Sequence, residues 1–189
     1  LKQDGVDAVL MDLRNNGGGS LQEAIELTGL FIDKGPVVQV RDTRNRVQVD
    51  SDQESGVSWN GPFGVIINRF SASASEIFAG AIQDYGRGIV LGSTSYGKGT
   101  VQNAVDMSRF ISATNKLLIK ASGEKDADTP NGAPEFGQIN ITMGKFYRVT
   151  GSSTQHKGVE PDVTFPTQYS AEKFGESSEP SALPWDQIK

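Results

Sequence analysis

Apolar residues first gather in a nearly continuous run at residues 8–13, interrupted by Asp12. That is the pattern of a strand buried in a covered sheet. Asn15-Asn16-Gly17-Gly18-Gly19 breaks the run. Ser20-Leu21-Gln22-Glu23 then places Ser three positions before Glu, the spacing of a capping box. Leu21, Ala24, Ile25, Thr28, Phe31 and Ile32 recur at helical intervals until Gly35-Pro36 stops them. The opening unit reads as strand, glycine loop, helix.

A second unit follows, without an internal sequence repeat. Residues 37–41 and 46–49 are β-rich runs on either side of Asp42-Thr43-Arg44-Asn45, which predicts a hairpin, and residues 50–56 are polar and read as a loop. Residues 63–68 form another apolar run. Ser73-Ala74-Ser75-Glu76 repeats the capping spacing. Ile77, Phe78, Ala81, Ile82 and Tyr85 mark one helical face, and Gly86 is a natural stop. Residues 89–91 predict a third short strand. The order strand, helix, two strands, helix, strand predicts α/β layers joined by crossovers. Further on, residues 117–119 read as strand. Residues 121–136, rich in Gly, Pro, Asp and Lys, read as a loop or mobile insertion. Residues 139–143 and 145–149 return to strand patterns, and from Thr167 the chain is polar.

Composition narrows the chemistry. A chain of 189 residues suits one domain with a substantial core. The net charge of -5, without a basic cluster, argues against a nucleic-acid surface. There is no cysteine, so disulfides, thiolate zinc sites and a Cys nucleophile are excluded. The lone histidine, His156, rules out a multi-histidine metal site within this chain, and nothing points to a cofactor. No run of about 18 apolar residues marks a membrane span.

Several positions could carry chemistry. Ser73 stands between a strand and a helix, beside unpaired N–H groups and the positive end of a helix dipole. It is either an N-cap, worth about 1 kcal/mol, or a nucleophile. A nucleophilic serine needs a base. His156 sits in a polar turn and reads as a surface residue. Lys98, between Gly97 and Gly99 after an apolar strand, is the alternative. A lysine base must be neutral, which requires lowering its pKa from about 10.4 to near 7, roughly 4–5 kcal/mol. Gly92 to Lys98 also matches most of a phosphate-binding G-x-x-x-x-G-K loop. Gly99 stands where that loop needs Ser or Thr, and an extended run stands where it needs a helix. Gly17-Gly18-Gly19 is either an oxyanion hole built from backbone N–H groups or a plain tight turn.

Three stretches carry a resemblance: Asp12-Leu13-Arg14-Asn15-Asn16-Gly17-Gly18-Gly19, Phe70-Ser71-Ala72-Ser73-Ala74-Ser75-Glu76-Ile77 and Gly97-Lys98-Gly99-Thr100-Val101-Gln102. Together they resemble the carboxyl-terminal processing proteases. Asp84-Tyr85-Gly86-Arg87, Lys145-Phe146-Tyr147-Arg148-Val149, Gly158-Val159-Glu160-Pro161-Asp162 and Leu183-Pro184-Trp185-Asp186 resemble the tail-specific protease branch of Gram-negative bacteria. The resemblance implies an α/β, crotonase-like spiral of ββα units. It implies a Ser–Lys dyad with Ser73 as nucleophile, Lys98 as base, Gln102 orienting the lysine, and the backbone N–H groups of Gly19 and Ala74 as oxyanion hole. If residues 98–102 are extended, alternation puts Lys98, Thr100 and Gln102 on one face.

The resemblance further implies protein or peptide substrates recognised near free C-termini, a periplasmic location in association with the inner membrane, and an adaptor as a candidate partner. A PDZ domain, usual in that family, is not found in this chain. The expected organisation is a truncated protease core at residues 1–166, with 105–138 poorly defined, and a polar C-terminal extension at 167–189. Asp84, sometimes proposed as a third catalytic member, would lie about 16 Å from Ser73 along one helix and reads as structural, near Arg87. Glu76 reads as the capping-box partner. Two other function classes fit the same fold: an acyl-thioester enzyme of crotonase type, and an inactive fragment acting as a binding scaffold.

Overall fold

The computed structural model describes residues 5–121 and 136–189. The chain forms two compact units, Leu1–Val101 with Gly144–Lys189, and Gln102–Met143. The first contains β1 (Val9–Asp12), α1 (Leu21–Gly29), β2 (Gly35–Asp42), β3 (Val47–Asp52), β4 (Phe63–Ile67), α2 (Ala74–Asp84) and β5 (Ile89–Gly92). β6 (Thr100–Asp106) and β7 (Gln138–Tyr147) run through the boundary between the units, α3 (Ala113–Ala121) lies in the second, and β8 (Val163–Thr164) closes the first.

Two sheets result. One is parallel, in the order β1-β4-β5-β8, and the other has the order β3-β2-β7-β6. β2 and β3 form the expected hairpin, antiparallel from Gly35↔Asp52 to Arg41↔Val47. It reaches three residues further than its apolar pattern: Asp50, Ser51 and Asp52, expected in a loop, are strand. β3 is an edge strand among the described residues, so Asp50 and Ser51 keep partial access to water, whereas Asp52 is buried.

Helix α2 is the axle. Every residue from Ala74 to Ile82 is buried, because both its faces are occupied. Toward the parallel sheet, Phe78 and Ile82 meet Phe31, Phe63, Val65, Ile67 and Val90. Phe31 stacks on Phe63 with centroids 4.0 Å apart, and Phe78 meets both edge-on. Such pairs add about 0.5–1.5 kcal/mol each beyond their burial. On the other side, Ile77 and Ala81 pack with Ile25, Ile32, Val37, Val38 and Phe146. The helix is thereby fixed from two directions, and so is the residue at its start.

Three segments differ from their sequence patterns. The run at residues 8–13 predicts a strand buried on both faces, yet β1 alternates, with Leu10 60 % exposed and Val9 and Met11 packed on the core. Residues 117–119, expected as strand, lie within α3: a three-residue apolar run cannot distinguish the two periods. Residues 139–143 and 145–149 belong to one strand pattern, with β7 running unbroken to Tyr147. Of the stretch expected as loop or mobile insertion, residues 122–135 lie outside the described residues.

The polar extension is fastened to the first unit. Trp185 donates to the Ser153 carbonyl at 2.9 Å. The Asp186 carboxylate accepts from Lys145 at 2.7 Å, from Tyr147 at 3.0 Å and from Arg41. Tyr169 and Phe174 meet Phe70 edge-on, just before the Ser73 turn.

Candidate active site

Ser73 is the residue immediately before α2, and its backbone is unusual. Its φ is 56° and its ψ is -114°, a sparsely populated region for a side chain with a Cβ. Strained turns of this kind, between a strand and a helix, carry the nucleophile in α/β-hydrolases. The neighbouring serines are committed elsewhere. The Ser71 hydroxyl donates to the Leu13 carbonyl at 2.8 Å, and the Ser75 hydroxyl donates to Asn16. The Ser73 side chain stands at the Glu76 N–H in capping-box position, but that N–H bonds to the Ser73 carbonyl at 2.8 Å, and the Ser73 hydroxyl donates to no group among the described residues. Of the three, its hydroxyl is the one left for chemistry.

The glycine loop is pressed against this turn. Gly18 has φ +98°, and a Cβ there would lie 2.7 Å from the Ala72 carbonyl oxygen and 2.8 Å from the Ala74 nitrogen. Only glycine fits. Asparagines lash the two loops together: Asn16 accepts the Ala72 N–H at 3.0 Å with its carbonyl and the Gly18 N–H at 2.9 Å with its side chain, while Asn15 and Asn68 exchange hydrogen bonds of 2.9 and 2.8 Å. The Gly18 N–H is thereby used. Those of Gly19 and Ala74 have no acceptor among the described residues. A cavity of about 140 Å³ shares Gly18, Gly19 and Ala74 as walls with Leu13, Ala24 and Phe78.

Lys98 lies beyond β5 on an extended loop, half-buried like Ser73. Gly97 has φ +90°, and a Cβ there would lie 2.9 Å from the His156 backbone. The turn around His156 sits against the lysine loop, with the His156 N–H donating to the Gly97 carbonyl at 2.8 Å. His156, expected at the surface, is therefore half-buried, and its Nε2 is buried without a partner among the described residues. The Gly99 N–H donates to Gln155 at 2.7 Å. Lys98 leads into strand β6, where a phosphate loop would open a helix.

One carboxylate joins the two loops. Glu76 Oε2 accepts the Ser73 N–H at 2.8 Å and the Lys98 N–H at 3.0 Å, so these nitrogens lie within about 6 Å of one another. Its Oε1 accepts the Ser95 hydroxyl at 2.5 Å and the Gly97 N–H at 2.7 Å. The capping spacing of Ser73 and Glu76 is real on the glutamate side. The Glu76 N–H bonds back to the Ser73 carbonyl at 2.8 Å. Complete burial pushes the Glu76 carboxyl up to about 7, against the four hydrogen bonds, which pull it down.

The remaining expected residues are elsewhere. Gln102 is exposed on β6, in the second unit. Asp84 ends α2 and pairs with Arg148, at 3.1 Å to Nε and 2.5 Å to Nη2. Arg87, the partner suggested by spacing, instead donates to the carbonyls of Phe31, Trp59 and Gly61. Sequence reasoning missed Asn15, Asn16, Asn68 and Ser95. The first two stand inside the glycine motif, but nothing local signals their partners 53 to 59 residues away.

Known proteins match this chain closely. The model of peptidase family S41 matches residues 1–165. A tail-specific protease from Haemophilus influenzae is 44 % identical over 188 residues, covering 100 % of this chain and 24 % of the relative. A chloroplastic carboxyl-terminal-processing peptidase 2 from Arabidopsis thaliana is 40 % identical over 109 residues, 57 % of this chain and 21 % of its own. Among solved structures, a photosystem II D1 C-terminal processing protease superposes with a TM-score of 0.65 at 29 % identity, over 87 % of this chain and 36 % of its own. The chain thus spans about a quarter of the length of these curated relatives.

Proposed function

Since the chain belongs to peptidase family S41, we propose that it is the catalytic portion of a serine endopeptidase using Ser73 and Lys98 as a dyad on proteins engaged near their C-termini. The observation that carries this reading is Ser73 itself. Its hydroxyl proton has no acceptor among the described residues, its backbone is held at φ 56° on a helix N-terminus, and one carboxylate oxygen ties it to the lysine loop.

In the reaction, Ser73 Oγ attacks the carbonyl carbon of the scissile peptide while neutral Lys98 Nζ takes its proton. The carbonyl oxygen becomes an oxyanion and accepts from the N–H groups of Ala74 and Gly19. These are worth most where the helix dipole adds to them. Collapse breaks the C–N bond, and Lys98 returns the proton to the leaving amine. Lys98 then deprotonates a water, which hydrolyses the acyl-Ser73 ester and restores both residues. By resemblance to the family alone, Gln102 is the residue expected to orient the lysine. Glu76 spends its four acceptor positions on Ser95 and three backbone N–H groups.

The setting proposed is the periplasm, beside the inner membrane, with the PDZ domain elsewhere in the polypeptide and an adaptor delivering some substrates. The resemblance to the Gram-negative branch supports this. The test of the dyad is cleavage of a peptide with a free C-terminus by the intact protein. Ser73→Ala and Lys98→Ala should each lower kcat by several orders of magnitude. Wild-type cleavage by either variant would sink the dyad.

A further inference from the structure

Glu76 is the most heavily committed buried acid near the site. Its four acceptor positions are all taken, and three of its donors are backbone N–H groups of Ser73, Gly97 and Lys98. A side chain that only caps a helix serves its own first turn. This one also serves residues 21 and 22 positions further on. It grips the nucleophile and the base by their backbones, leaving both side chains free.

We propose that Glu76 is a positioning residue for the Ser73–Lys98 pair: its carboxylate holds the two loops in register, and protonation slackens that hold. The proposal rests on the Ser–Lys reading. Hydrogen bonds to an ionised acceptor are roughly twice as strong as those to a neutral one. Gaining a proton therefore weakens the grip on Ser73 and Lys98 together. A displacement of about 1 Å at a reacting group can cost on the order of 10²-fold in rate.

The surroundings make this transition reachable near neutral pH. Complete burial raises the Glu76 carboxyl to about 7. Arg69, before the Ser73 turn, favours the ionised form by charge but gives its own hydrogen bonds to the carbonyls of Phe174 and Ser95. From the lysine loop, Tyr96 faces it with a neutral phenol raised by burial. The segments packed behind that loop bring His156 and Glu176, both held by backbone bonds to Gly97 and Tyr96. Among these groups, Glu76 is the one joined directly to both halves of the dyad.

The experiment is the pH dependence of kcat/KM between pH 5 and 9, on the intact protein with a peptide substrate. Lys98 and Glu76 both lose function on protonation, so the wild-type acid limb should steepen toward a two-proton slope. Glu76→Gln should lower kcat about 10²-fold with little change in KM, and its acid limb should fall to a one-proton slope. Glu76→Asp should keep the two-proton slope at reduced kcat. Ser95→Ala removes one hydrogen bond that favours the carboxylate, so its acid limb should move to higher pH. This variant carries the test if Glu76→Gln does not fold. A one-proton limb in the wild type, a two-proton limb in Glu76→Gln, or an unmoved limb in Ser95→Ala would each overturn the proposal. Ser73→Ala, run in parallel, separates the two failures. If it still cleaves, the dyad itself is wrong. If it is inactive while Glu76→Gln keeps a two-proton limb, only the positioning role falls.

Discussion

Helix α2 carries a buried acid at each end, and the two solve opposite problems. Glu76 sits in the first turn, where the helix's own N–H groups and dipole welcome negative charge. Its cost is desolvation, and its partners are neutral backbone donors. Asp84 sits in the last turn, where the dipole opposes it. It is offset by a full opposite charge, Arg148, with side-chain exposures of 7 % and 18 % for the pair. The first acid is bonded to the backbone N–H groups of Ser73 and Lys98. The second pins the helix end to the segment after β7. Burial alone does not separate a structural acid from a positioning one. The partners do.

The largest expected effect at the first end comes from the glycine loop. A methyl group at Gly18 would be driven onto the Ala72 carbonyl and the Ala74 nitrogen, the latter a proposed oxyanion donor. Gly18→Ala should lower kcat about 10²–10³-fold, the cost of losing one such donor. Single-turnover acylation of Ser73 would measure it. Unchanged acylation would show that the loop relaxes and that the tight contact is packing alone.

At the other end the expected loss is in stability. Asp84→Ala leaves the Arg148 guanidinium without its charge partner, about 2–4 kcal/mol for a pair that is not wholly buried. In a chain of this size that lowers Tm by roughly 5–15 °C. Below its melting range the variant should keep the acid-limb slope of the wild type, whereas Glu76→Gln should not. An Asp84→Ala protein with a wild-type melting curve and no turnover would break the comparison and return Asp84 to the chemistry.

These contrasts also show how much is legible in the chain directly. The β1–glycine loop–α1 and β4–α2–β5 units are legible because their periods, caps and breakers are local. Ser73 and Lys98 each have a local loop signature, but local signals leave Ser73 open between N-cap and nucleophile, and the family resemblance is what pairs the two. Glu76 is visible as a first-turn acid, but its bonds to Ser95, Gly97 and Lys98 span 19 to 22 residues. Asp84 and Arg148 are 64 residues apart, so spacing points to Arg87 instead. In β3, Asp50 and Ser51 look like loop because an edge strand needs no apolar alternation, and Asp52 looks like loop although it is buried. Local signals specify the elements; the partners across the fold decide what each acid does.

The smallest predicted effect is one of sign. A buried acid whose carboxyl is raised from 4.5 to about 7 binds a proton in the folded state before the unfolded chain does. Stability linked to Glu76 therefore rises as pH falls from above 7 toward 4.5, on the order of 2–3 kcal/mol. Asp186 behaves in the opposite way. Burial pushes it up, but bonds from Lys145, Arg41 and Tyr147 outweigh burial and leave it below its usual value. Its contribution is present above the unfolded carboxylate range and is lost only as pH falls through its lowered folded value. The window between pH 5 and 7 thus belongs to Glu76 rather than to Asp186. Thermal melts across it should show Tm of the wild type rising on acidification relative to Glu76→Gln, while kcat/KM of the wild type falls. A protein that gains stability as it loses activity fits an acid whose ionised form is kept for positioning. Parallel Tm curves for the two proteins would instead mean that Glu76 is already ionised at pH 5, and that its hydrogen bonds outweigh its burial.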